Sequence, residues 1–220
     1  ATLNNKAGGT VLLSGTNSVP FDYASSGSNV FNNAGTLSKT TATSQGLSIA
    51  GTINNTGTVS LGANTNTLTI YNSGSYTGSF SLGAGTVLDL NGGTYAWDTS
   101  STLFSGAGQV KLSSGTVNVN AAQTMGSGGP SLYLSGGTVS GAANLTLDNT
   151  VTLGSALLTG GGTLATSGSV TISGNPQLNG KTWDNTGTIE VSGGVQLDFS
   201  NAATLNNKAG GTVLLSGTNS

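Results

Sequence analysis

The 220-residue chain contains no cysteine and no histidine, and its five basic residues are all lysine. Without cysteine there is no disulfide framework, no thiolate nucleophile and no cysteine metal site. Without histidine, the commonest general base and zinc ligand is also missing. Charged residues make up 5% of the chain: five Lys, six Asp and the lone Glu190, for a formal net charge of −2. That balance supplies no basic patch for nucleic acid or an anionic membrane. No apolar run approaches the roughly 18 residues of a membrane span. No basic, apolar leader opens the sequence either. Ala1 falls inside a repeat word, so the chain reads as a piece of something longer.

Glycine is abundant instead, with 37 residues, and Ser, Thr and Asn fill most of the remaining polar positions. Regular pairs of Val, Leu and Ile interrupt them, so burial can offset the ordering entropy that keeps low-complexity chains unfolded. The chain is therefore read as folded.

The first eighteen residues, "ATLNNKAGGTVLLSGTNS" (Ala1–Ser18), recur as Ala203–Ser220, an offset of 202 residues. Residues 1–220 are read as a single β-solenoid segment, with 1–202 one repeat period and 203–220 the start of the next. Inside the period, Gly-Thr followed by an aliphatic residue returns at Gly9, Gly35, Gly57, Gly85, Gly137, Gly162, Gly187 and Gly211, with Gly108 as a variant. Taken as successive coil starts, these words step by 22 to 29 residues and divide the period into eight coils of about 25 residues.

Between the words lie short segments with a period of two, such as "GVQLDFSN" (Gly194–Asn201) and "GSVTISG" (Gly168–Gly174). This alternation, rich in Val, Ile and Thr and bounded by Gly, Ser and Asn, is strand patterning. Three short strands per coil describe an all-β parallel β-helix, each strand pairing with its equivalent ~4.8 Å along the axis. Coils of this length fit the right-handed, triangular kind. A β-sandwich is the competing all-β reading, but it leaves the returning word unexplained. Within "GTVLDL", Leu88 and Leu90 are expected inward and Asp89 outward, since an unpaired buried carboxylate is costly.

Four of the Gly-Thr words are preceded by an Asn pair or its near equivalent: Asn32-Asn33, Asn54-Asn55, Asp184-Asn185 and Asn206-Asn207. The residue before each pair is large and apolar: Phe31, Ile53, Trp183 and Leu205. Joined head to tail at the 202-residue offset, these words form four consecutive coils. Their amides are expected to stack as a hydrogen-bonded ladder, with the four apolar residues as an inward column beneath it. Asn and Gly both tolerate the tight corner this needs.

The words "FNNAGTL" (Phe31–Leu37) and "INNTGTV" (Ile53–Val59) resemble the repeats of large bacterial β-helical surface proteins, the passengers of autotransporters and filamentous-haemagglutinin-like adhesins. The resemblance covers essentially the whole chain and speaks to coil geometry. It implies export to the cell surface and a fibrous shape, and it brings no catalytic residues.

Enzymatic chemistry finds little to stand on. A lyase of the β-helix kind needs a cationic base beside carboxylates, and in sequence the lysines do not cluster with Asp. Asp89 and Asp98 are the nearest pair for glycoside hydrolysis, and solvated surface Asp is the simpler reading of both. Tyr95 and Trp97 share a face, either as core or as a platform for a sugar, and core is the preferred reading. Thr65, Thr67 and Thr69 share a face like a short ice-binding ladder, but no triplet repeats in register. The expectation is a structural and adhesive extracellular module without enzymatic activity, cofactor or metal. Its partners would be copies of itself, as covalent tandem repeats or through end-to-end and lateral filament contacts, with cell-surface glycans or host or neighbouring cells as targets. A carbohydrate-binding or carbohydrate-active β-helix is the alternative.

Overall fold

The computed structural model describes residues 1–22 and 27–217. Among them there is no helix, and the strands pair in parallel with their equivalents one turn below and one turn above. The result is a parallel β-solenoid with three strands per turn and three faces. The first face runs through the strands Asn66–Ile70, Ser131–Leu134, Ser169–Ile172, Thr188–Val191 and Thr212–Leu215, among others. The second runs from Thr2–Asn5 through Asn29–Asn33 and Gly51–Asn55 to Asp198–Ser200. The third begins with Thr10–Leu13, Thr36–Lys39 and Thr58–Leu61 and ends with Leu164–Thr166, Thr182–Asn185 and Thr204–Asn207.

Thr86–Trp97 and Gln109–Val119 pass round the corner between the first and second faces without a break. Those two faces therefore form one sheet of seventeen strands, while the third face consists of two sheets of five.

The second face is crossed ten times among the described residues, so nine turns separate Thr2–Asn5 from Asp198–Ser200. Eight coils of about 25 residues were expected; the turns are more numerous and mostly shorter. Residues in register lie 28 apart at the start, Leu3 over Phe31, and as few as 19 apart later, Leu145 over Leu164. The reason lies in the Gly-Thr word. Gly9, Gly35 and Gly57 lead into third-face strands, Gly85, Gly187 and Gly211 into first-face strands, and Gly137 into a second-face strand. The word marks a corner, and any of the three corners can carry it.

Packing explains the glycine. A β-carbon on Gly57 would lie 2.1 Å from the carbonyl oxygen of Gly35, and one on Gly35 would lie 2.3 Å from that of Gly9. The carbonyl of one turn occupies the space where the next turn's side chain would begin.

The core fills the tube. On the first face Leu88 and Leu90 point inward and are buried. Asp89 points outward, as the alternation implies, but it is not the solvated carboxylate expected: Lys111 and Ser113 of the next turn cover it and leave it 9% exposed. On the second face Tyr76, Tyr95 and Trp97 join the core, where Tyr76 stacks on Tyr95 and Trp97 meets Phe104 edge to face.

Candidate functional site

The Asn words occupy two corners at opposite ends of the solenoid. At the corner leaving the second face, Asn5, Asn33 and Asn55 point inward and are buried. Asn5 Nδ2 donates to Asn33 Oδ1 at 2.7 Å, and Asn33 Nδ2 donates to Asn55 Oδ1 at 2.7 Å. Each amide also reaches across the corner to the third-face strand one turn on: Asn5 Nδ2 donates to Thr36 O and Asn33 Nδ2 to Thr58 O, both at 3.0 Å. These bonds give the buried amide N–H groups of Asn5 and Asn33 their acceptors. Tyr76 and then Trp97 succeed Asn55 in the same row.

On the outer surface of the same strands, Asn32 Nδ2 donates to Asn4 Oδ1 at 2.9 Å, and Asn54 Nδ2 donates to Asn32 Oδ1 at 3.0 Å. The outer ladder thus runs in the direction opposite to the inner one.

The second group sits at the corner leaving the third face. Asn185 is buried, accepts from Thr166 Oγ1 at 2.9 Å and donates to Asn207 Oδ1 at 2.9 Å. Outside, Asn206 Nδ2 donates to Asp184 Oδ1 at 2.8 Å, and Lys208 Nζ donates to Asp184 Oδ2 at 2.6 Å. The Lys208 and Asn206 hydrogen bonds hold the Asp184 carboxyl below the usual carboxylate range. Two apolar columns accompany the two corners: Phe31 lies under Ile53 on the second face, and Trp183 under Leu205 on the third. Trp183 is fully buried, and its indole Nε1 donates to Thr166 Oγ1 at 2.9 Å. Within this chain the structure therefore brings Asn32, Asn33, Asn54 and Asn55 together, and Asp184, Asn185, Asn206 and Asn207 together, on different faces.

Two lysines take core positions that their charge argues against. Lys39 stands in the core row between Leu13 and Leu61, and its ammonium donates to the carbonyls of Thr41, at 2.6 Å, and Thr65. Lys181 Nζ donates to Gly162 O at 2.7 Å and Thr159 O at 3.1 Å. Neither faces a carboxylate in these bonds, and burial lowers both amines from the ordinary lysine range. They work as internal clamps on the backbone of neighbouring turns.

Most of the candidate chemistry takes structural positions. Tyr95 and Trp97 are core residues; Tyr95 Oη donates to Ile70 O at 2.7 Å, and burial pushes its hydroxyl up to about 12. Thr67 and Thr69 lie on an outer row, but Thr65 is buried in the preceding turn with its hydroxyl on Gly62 O. Asp98 lies on the outside between Ser75 and Asn120, both of which donate to it. It lies apart from Asp89, in the turn beyond the second face.

One expectation is corrected. Lysine and aspartate do meet: Asp89, Lys111 and Tyr133 occupy the same outward position on three successive first-face turns. Lys111 Nζ lies 3.9 Å from Asp89 Oδ2, and 5.9 Å from the centre of the Tyr133 ring. Ser113 Oγ donates to Asp89 Oδ1 at 2.6 Å. The three residues are 22 apart in sequence, and only the turn length brings them into one row. Beside them an open groove of about 380 Å³ is lined by Ser127, Gly128, Gly129, Ser131, Asn149 and Thr150, among others. Ser131 shares its strand and its outward face with Tyr133. Among the described residues no three His, Cys, Asp or Glu side chains come together as a metal site.

The geometry so far describes a stacking scaffold with one polar aromatic row on its outside. No protein-family model, no curated protein and no solved structure matches this chain.

Proposed function

We propose that this chain is a structural and adhesive extracellular module of a tandem-repeat β-solenoid that forms a stalk or surface filament. One observation carries the reading. The opening residues of the second repeat dock as ordinary turns of the solenoid: Thr204–Asn207 pairs in register on Thr182–Asn185, and Thr212–Leu215 on Thr188–Val191. The stack runs into the repeated segment without a seam, which is what a chain of consecutive copies requires. The surface is made of short hydroxyl and amide side chains with few charges, so rods of this kind can lie side by side without strong repulsion. The resemblance of the Phe-Asn-Asn and Ile-Asn-Asn words to bacterial β-helical adhesins supports export to the cell surface. The module is read as non-enzymatic.

Electron micrographs of the chain continued with further 202-residue copies test the first part. Rods that lengthen with each copy support it, and compact particles of constant size sink it. Whether antiserum raised against the chain labels intact cells of the source organism tests the surface location.

A second reading rests on Asp89, Lys111 and Tyr133 beside the groove at Ser131 and Thr150. A cation, a carboxylate and an aromatic ring next to a neutral, hydroxyl-lined depression suit a sugar. Titration with neutral and uronic-acid hexasaccharides decides it: binding that Tyr133→Ala weakens by about two- to tenfold, the size expected from losing one stacked ring, supports a lectin-like role. No heat and no shifted resonances with the unaltered chain end that reading.

A further inference from the structure

The two copies of the repeated segment lie on different faces of the same solenoid. Thr2–Asn5 is on the second face and Thr10–Leu13 on the third. Their duplicates, Thr204–Asn207 and Thr212–Leu215, are on the third and the first. Nine full turns bring the chain from Thr2–Asn5 to Asp198–Ser200, and Thr204–Asn207 is the next strand along. We infer that the 202-residue period winds nine and one third turns, so each copy in a tandem chain is turned by one face relative to the copy before it.

The local chemistry accepts this shift because it is written for a corner, with no preference among faces. Asn207 accepts from Asn185, and its counterpart Asn5 donates to Asn33. In a continued chain one residue makes both bonds, and the ladder reads Asn185, Asn207, then the next copy's Asn33 and Asn55. The outer row agrees: Asn206 donates down to Asp184, and its counterpart Asn4 accepts from Asn32 above. Leu205 rests on Trp183, and its counterpart Leu3 pairs with Phe31. At each seam the ladder is bounded by Thr166 on one side and by Tyr76 on the other. No bond in this list depends on which face it occupies.

The consequence is a rod with a threefold screw. At ~4.8 Å per turn each copy adds ~45 Å. After three copies the faces coincide again. The Asp89, Lys111 and Tyr133 row would appear on each of the three sides in succession. A partner would then find the same row whichever side it approaches. A period with a whole number of turns would put every copy of the row on one side only.

This inference rests on the tandem reading above, and one experiment separates the two. The chain is continued past Ser220 with residues 19–220, several times over, and every copy carries cysteine at the exposed Leu12 position or its duplicate Leu214. No native cysteine competes for the label. Maleimide-gold markers are then located by electron microscopy. The expected result is a continuous rod on which successive markers step ~45 Å and move round by one third of a turn. Markers in a straight line along one side of a continuous rod overturn the one-third turn and leave the rod standing. Separate compact particles overturn both. Ser60→Cys, on the outer surface of the third face in register with Ser81, gives the same readout should the Leu12 variant not fold.

Discussion

Asn5 gives its side-chain proton to Asn33 across 2.7 Å, one turn along the axis, while their sequence neighbours bond the other way, Asn32 to Asn4 at 2.9 Å. Each corner thus holds two parallel ladders of opposite direction, one inside and one outside. The inner one is the more demanding, because a buried amide that loses its partner keeps its desolvation cost.

Asn33 is the middle rung. Asn33→Ala would strand the amide oxygen of Asn55, and part of the donor capacity of Asn5, inside the corner. The expected loss is about 1–3 kcal/mol, read from chemical denaturation. Asn33→Asp should cost more at neutral pH, since it buries a charge beside the oxygen of Asn55. Its buried carboxyl would titrate above the unfolded value of about 3.9. Its stability should therefore improve as pH falls through that raised pKa, a direction the unaltered chain does not share at this position.

Gly57 tests the corner by size alone. The added methyl of Gly57→Ala would meet the Gly35 carbonyl oxygen at 2.1 Å and the Ala34 carbonyl carbon at 2.6 Å, both backbone, with no flexible group to yield. A loss of about 1–3 kcal/mol is expected from overpacking. Gly15→Ala is the control: nothing lies within 4 Å of its β-carbon position, and the change should stay within about 0.5 kcal/mol.

Thr166 links the third-face ladder to the core, donating to Asn185 and accepting from Trp183. Thr166→Val keeps the shape and removes both bonds, at an expected cost of about 1–3 kcal/mol. Trp183 reports the change directly through its fluorescence, because its indole N–H loses its acceptor. A double-mutant cycle with Asn185→Ala should show coupling between the two positions. Strict additivity would contradict the network.

The pH profile should be skewed to the alkaline side. Lys39 and Lys181 are lowered by burial, so above their folded pKa values the native state has shed protons that the unfolded chain still holds up to about 10.4. Stability rises with pH across that window. Tyr76 and Tyr95 are raised by burial, so above about 10 the unfolded chain loses protons first and stability falls again. Denaturation midpoints measured from pH 6 to 11 should peak toward the upper end, at roughly pH 10. Lys39→Met and Lys181→Met together should flatten the rising limb. A profile unchanged by both substitutions would show that the two amines are not desolvated.

Strand and corner were legible because alternation and the Asn-Asn-x-Gly-Thr word are local. Phe31 was expected in line with Ile53, and Trp183 with Leu205; both pairs lie in register. Which corner each word marks was not legible. A glycine whose β-carbon would meet a carbonyl of the turn below stands at all three, as at Gly57, Gly137 and Gly187, so the words at Gly137 and Gly187 look like the same point of their coils while leading into different faces. The row of Asp89, Lys111 and Tyr133 is not local either, since alignment across turns requires every turn length between them. Lys39 was invisible for another reason. Its alternation phase places it inward, but a lysine is ordinarily assigned to solvent, and only the carbonyls of Thr41 and Thr65 make its position tenable.

The opposed ladders also set how the structure scales. In an α-helix every peptide dipole points the same way, and the sum appears as partial charges at the two ends. Here the inner amides donate toward the carboxyl end, Asn5 to Asn33 to Asn55, and the outer amides toward the amino end, Asn54 to Asn32 to Asn4. Their axial dipoles oppose each other rung by rung. A stack lengthened through such corners accumulates little axial field from them, and turns can be added without building up electrostatic strain at the tips.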